Sequence, residues 1–200
     1  DGAIAVSQLI ELYRDPKMFL VIQNSIRLGI YVVLGTTCLA LPLAFIMTRT
    51  SLRHHKWLQI IFLIPFMTPP YIGAMGWILF MQEGGFAQQL FPFISPWTSS
   101  FFSLTGMVLM MSLHLFPFLY LMLYNALLRI QGNYQQAATI YGKSKRYNLF
   151  KVTFPLLFAS YLLGVLLIFV KTLAEFGTPA TFGKRIGYPV FTTEIHGLLS

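Results

Sequence analysis

Residues 152–170 read VTFPLLFASYLLGVLLIFV, nineteen positions without a charge. About 20 apolar residues in a helix cross the hydrocarbon core of a bilayer. This run is apolar on every side, whereas a helix lying on a soluble core alternates an apolar stripe with a polar face. Working outward, the same silence recurs over 28–48, 57–82 and 104–128. These runs predict four spans, at roughly 26–48, 57–80, 103–128 and 154–172. Of the 200 residues, 56% are hydrophobic and 10% charged, against about 25% charged in a soluble domain. That contrast excludes a soluble globular domain, which needs polar side chains to cover its surface. The single cysteine, Cys38, lies inside an apolar run and excludes a disulfide scaffold. The predicted fold class is therefore all-α, a polytopic membrane helical bundle.

The charges gather in the connections. Arg49, Arg53 and Lys56 follow the first span, and Arg129, Lys143, Lys145, Arg146 and Lys151 follow the third, with no carboxylate among them. The remaining cations are matched by six carboxylates, so the net charge of +8 falls on one face. Cytoplasmic loops keep Lys and Arg, which makes that face the cytoplasm and accounts for the charge without a nucleic acid. Residues 1–23 and 174–200 are then external. The stretch GGFAQQLFPFISPWTSS (84–100), broken by Gly, Pro and Ser and rich in rings, reads as an interfacial connection. A chain that begins at Asp1 and has both ends outside is expected to be a central piece of a larger membrane protein.

The third connection, 129–155, is long for a passive link. Its sequence from 133, NYQQAATIYGKSKRYNLFKVTFP, reads as two short helices, Tyr134 to Tyr141 and Ser144 towards Pro155, cornered at Gly142. Ala137 and Ala138 would leave a flat face on the first, open to close docking. Gln136, Ala137, Ala138, then Gly142, then Val152 and Pro155 resemble the EAA signature of ABC importer permeases, written EAA, three residues, G, nine residues, I, any residue, LP. Gln stands for Glu at 136, Val for Ile at 152, and Phe for Leu at 154. The resemblance implies the MetI-like permease fold over 24–200, with 129–155 as a loop that docks on a separate ATPase subunit. Gly142, Lys143 and Ser144 also resemble the end of a phosphate-binding loop, but that motif requires Gly at 137 and a preceding strand. ATP and Mg are thus expected in the partner ATPase, no cofactor in this chain, and the chain is not itself an enzyme.

The likeness continues. Asn24, Ser25 and LPLAFIMTRT (41–50) resemble the first core span of such permeases, and IPFMTPPYIGAMGW (64–77) the second. Prolines 65, 69 and 70 free backbone groups, which membranes tolerate where the segment is packed or lines a cavity. LAEFGTPATFGKRIGYPVFTTEI (173–195) resembles ferric-iron permeases, and more loosely those for molybdate and sulfate. It implies a pore or gate at Glu175, Phe176, Gly177, Thr178 and Pro179, against the plainer reading of Glu175 as a helix-end charge. His114, in mid-span, reads more simply as a hydrogen-bonded helix contact than as a ligand. Lys171 reads as snorkelling to the interface, and His54 with His55 do not make a metal site. No catalytic or metal-ligating constellation is predicted.

The expected function is transport: a multi-pass subunit in the bacterial cytoplasmic membrane that forms the solute path of an importer. Its implied partners are ATPase subunits, a periplasmic solute-binding protein, a second permease half and lipid. Ferric iron is the implied cargo, with thiamine, polyamine, aminoethylphosphonate or sulfate and molybdate as alternatives. A membrane scaffold or embedded enzyme is the alternative of another class.

Overall fold

A computed structural model describes residues 16–140 and 145–199. Every regular element among them is helical. The long helices are α1 (Pro16–Arg49), α6 (Leu104–Ile140) and α8 (Phe154–Ala174). Each contains a stretch long and apolar enough to cross a membrane. Along α1 the buried positions Val21, Ser25, Leu28, Val32, Thr36, Ala40 and Ala44 recur every three or four residues. The opposite face, with Leu34, Leu39 and Ile46, is exposed yet equally apolar. Helices that are hydrophobic all round belong in lipid or in a large core.

The second predicted span is not one helix. α2 (Lys56–Met67) and α3 (Pro70–Met81) are separate, bent by 95° at the break. The cause is local. A residue before proline is pushed into extended backbone, and Thr68, before Pro69, has φ −81° and ψ 137° and ends α2. Its hydroxyl donates to the Pro65 carbonyl at 2.7 Å, satisfying an acceptor at the end of the helix. The described residues thus hold three helices long and apolar enough to cross a membrane, or four if the bent pair counts as one span.

One further boundary differs from expectation. The third span was expected to stop near 128, but the α6 backbone runs on to Ile140 and takes in Gln136, Ala137 and Ala138. After the undescribed 141–144, helix α7 (Lys145–Asn148) passes through a π turn, Leu149–Thr153, into α8. The chain is helical from Lys145 to Ala174. Between α3 and α6 lie α4 (Phe86–Leu90), a 3-10 turn (Pro92–Ile94) and α5 (Ser95–Phe101). Beyond α8 come a π turn, Pro179–Gly183, then α9 (Lys184–Ile186) and α10 (Phe191–Leu199).

The contacts form two compact units. One holds 32–69 together with the described residues of 111–170. There Thr37 and Tyr161 share a hydroxyl hydrogen bond of 3.2 Å between α1 and α8, and Gln59 donates to the Tyr124 hydroxyl at 3.0 Å between α2 and α6. Phe62 packs edge-on against Tyr120 and Phe116. His114 is half-buried with its ring 6.2 Å from that of Phe66. Small residues let membrane helices approach, and Gly164 of α8 is such a place: a Cβ there would lie 2.5 Å from Leu119 Cδ1 of α6. The other unit holds 16–31, 70–110 and 171–199.

Gly164→Leu should lower stability by about 1–3 kcal/mol through overpacking. Gly164→Ala should cost less, since the facing atom is the free end of a leucine side chain. Thermal unfolding of the purified protein in lipid checks this; a Gly164→Leu midpoint equal to wild type would refute the close helix approach.

Candidate functional site

The segment that sequence reading places at the gate lies in the second of these units. α8 ends at Ala174, and a new helical turn begins at Gly177. The break exposes backbone groups, and the neighbouring side chains take them up. Glu175 Oε1 accepts the Thr178 N–H at 3.3 Å and also the Thr178 hydroxyl. A carboxylate over a helix start receives orphan N–H groups and sits at the positive end of the peptide dipoles. The Glu175 carbonyl accepts from the Thr192 hydroxyl at 3.0 Å. Thr181 closes the turn by donating to the Gly177 carbonyl at 2.9 Å.

Gly177 faces the start of α3. A Cβ on it would stand 3.0 Å from Tyr71 N and 3.3 Å from Tyr71 Cα. These are backbone atoms rather than the free end of a side chain, so any larger residue would have to push the two segments apart by a few tenths of an ångström. Thr178 and Pro179 are buried, Glu175 is half-buried and Phe176 is exposed, its ring stacked on His196 at 4.9 Å. The five predicted residues thus form one structured turn rather than an open loop. Below it, Phe182 is fully buried, stacked on Phe102 at 5.6 Å and edge-on to Phe101 at 5.7 Å. The Arg185 guanidinium lies over the Phe102 ring at 4.2 Å, a cation on a π face.

Gly187, at φ +66°, ends α9, a left-handed position that suits glycine. It sends the chain back to α1. The Tyr188 hydroxyl donates to the Asn24 carbonyl at 3.1 Å, and Asn24 Nδ2 donates to the Pro189 carbonyl at 3.2 Å. The Phe191 N–H donates to Ser25 Oγ at 2.9 Å, and the Ser25 hydroxyl donates to the Val21 carbonyl. Burial raises the Tyr188 phenol above its ordinary pKa, against the opposing pull of Arg27. The hydroxyl therefore keeps the proton it donates. Sequence reading singled out Asn24, Ser25 and the TTEI run separately, but nothing in it paired them. Tyr71 and Thr192 were missed as partners of the turn.

The residues of the predicted docking loop are less fully placed. Gly142 lies outside the described residues, as does the predicted cap Ser144. Gln136, Ala137 and Ala138 follow the α6 backbone, Val152 is half-buried in the π turn, and Pro155 is exposed in the first turn of α8. Among the described residues, no group of three His, Cys, Asp or Glu side chains could hold a metal ion.

Residues 22–199 match the model of a family described as binding-protein-dependent transport system inner membrane component. The chain is 23% identical to a ferric transport system permease protein of Actinobacillus pleuropneumoniae, over 98% of this chain and 29% of that protein. It is 24% identical to an Fe(3+)-transport system permease protein of Haemophilus influenzae, over 96% of this chain and 34% of that one. A molybdenum transport system permease protein of Haemophilus influenzae is 28% identical over 82% of this chain and 72% of its own length. The chain thus spans about a third of the ferric relatives it matches.

Ser25→Ala removes the acceptor of the part-buried Phe191 N–H and should cost about 1–2 kcal/mol, whereas Tyr188→Phe should cost about 0.5–1.5 kcal/mol. Hydrogen exchange is expected to quicken over 188–195 in both, most in Ser25→Ala. Unchanged exchange in Ser25→Ala would contradict the anchoring.

Proposed function

The chain belongs to the family of binding-protein-dependent transport system inner membrane components, and on that premise we propose that it forms the solute path of an ABC importer driven by a separate ATPase. The reading rests above all on one observation: the chain is helical from Lys145, within the EAA-like loop and just after Gly142, to Ala174, directly before the Glu175 turn. The 21 residues of α8 are about 30 Å of helix at 1.5 Å per residue, the thickness of a bilayer core. A displacement imposed on the loop around Gly142 would therefore travel along one helix to the segment Glu175 to Pro179.

In this reading the Gln136, Ala137, Ala138 and Gly142 stretch docks on the ATPase, which holds ATP and Mg. Nucleotide closes two ATPase subunits, and the loops move with them. Glu175, Thr178 and Gly177 then work as a latch. The hydrogen bonds of Glu175 to Thr178 and Thr192, and the close contact of Gly177 with Tyr71, hold one arrangement of a broken-helix turn. Broken helices at membrane depth line paths in transporters. Charge asymmetry supports a cytoplasmic loop and an external Glu175 turn.

Ferric ion is the proposed cargo, supported by likeness to ferric permeases over nearly the whole chain and by the EFGTPA and TTEI segments. A second reading, an oxyanion such as molybdate, is favoured by the higher identity to the molybdenum permease. In either case selection would fall to a soluble binding protein, and the ligand found in that protein decides between them.

Thr178 is 5% exposed, so a cysteine placed there should react poorly with an external thiol reagent in the resting state. Its labelling rate should change several-fold when ATP is trapped in the partner subunits. Phe176→Cys, at an exposed position, should label in both states and serves as the control. Equal rates at 178 with and without trapped nucleotide would overturn the lever.

A further inference from the structure

Residues 86–101 are folded inside out. Gln88 accepts the Gly84 N–H at Oε1 (2.9 Å) and donates through Nε2 to Thr98 Oγ1 (2.7 Å). Thr98 in turn donates to the Ser95 carbonyl at 2.8 Å, and Gln89 donates to the Gly84 carbonyl at 2.8 Å. Thr98 is buried, and so are the small residues Gly85 and Ala87. The outer face carries the bulk: Phe86, Leu90, Phe93 and Trp97 are 62, 65, 76 and 72% exposed, and Phe91 is exposed with its ring edge-on to Phe93 at 5.8 Å. Residues 84–128 contain no charge.

In water this arrangement is the wrong way round. Each of those side chains would gain about 1.5–3 kcal/mol by leaving water, yet it is the Gln88 amide and the Thr98 hydroxyl that pair on the inner side. The medium facing the segment must be apolar on that side. We propose that residues 86–101 form an interfacial foot lying in the plane of the bilayer, with Phe86, Leu90, Phe91, Phe93 and Trp97 in the boundary between headgroups and acyl chains. Lipid is the occupant because the face is continuous with membrane-spanning chain: α3, the second half of the bent apolar pair, precedes it, and a spanning stretch opens at Leu104 just after it. Rings of this kind concentrate at membrane interfaces. A docking face for a soluble protein carries a polar rim with charges, and this face has no charge.

The foot is tied to the turn already described. α5 ends at Phe101, whose ring stacks on Trp77 at 5.8 Å and meets Phe182 edge-on at 5.7 Å. Lipid held at the foot therefore fixes the depth at which Phe182, and the Glu175 turn four residues before Pro179–Gly183 begins, sit in the membrane.

The test is a nitroxide at Phe93→Cys in a Cys38→Ala background, in the full-length permease reconstituted in phosphatidylethanolamine and phosphatidylglycerol vesicles. Collision with oxygen should exceed collision with a water-soluble nickel chelate several-fold, placing the label about 5–10 Å into the boundary. Preferential access of the chelate would mean water, and protection from both would mean a protein cover or a second copy; either result overturns the foot. The native side chain gives an independent reading that needs no label. Brominated lipid should quench wild-type emission more than that of Trp97→Phe, and equal quenching in the two would also overturn the proposal.

Discussion

A peptide group without a hydrogen-bond partner costs several kcal/mol in hydrocarbon, so a chain in lipid can leave the helix only where something else receives its backbone. The two principal breaks in this chain obey that constraint by different means. At Thr68 the threonine hydroxyl reaches back to Pro65, and the following prolines have no N–H to satisfy. At Glu175 the carboxylate caps the next turn while Thr192 supplies a donor to the carbonyl. The first break uses only its own sequence neighbours, whereas the second depends on residues from α10 and, through Tyr188, Pro189 and Phe191, on α1.

That dependence gives the Glu175 segment its character. Its position is set by side chains far away in sequence: Asn24 and Ser25 from α1, Tyr71 from α3, and Phe101 and Phe102 before α6. A turn held by a handful of hydrogen bonds, one glycine approach and one ring cluster has discrete ways to let go, as a switching element needs. The inside-out foot belongs to the same unit and meets the same ring cluster at Phe101.

Much of this architecture is legible in the sequence because lipid writes a coarse code. Charge-free runs mark α1, α6 and α8. What the sequence hides is set by tertiary pairing or by backbone geometry. Three prolines announce a disturbance between 65 and 70 but not a bend of 95°. The charge-free run stops before Arg129 and so marks the end of a span, yet α6 persists to Ile140, because a charge limits how far a helix is buried in lipid and not how far it stays helical. The segment 84–100 reads as an interfacial connecting loop from its Gly, Pro, Ser and aromatic content; that Gln88 turns inward while the rings turn outward appears only once Gln88 is seen to meet Thr98. Asn24 and Ser25 lie more than 160 residues from their partners, a separation that no local pattern records.

In the proposed mechanism, force enters at the loop around Gly142 and is used at the membrane path. Solute uptake by vesicles carrying the assembled transporter with Gly142→Asp tests it most directly, with insertion and assembly checked in the same vesicles. Uptake is expected to be lost while the permease remains inserted and the proposed ATPase partner still hydrolyses ATP. Wild-type uptake in the Gly142→Asp transporter would contradict it.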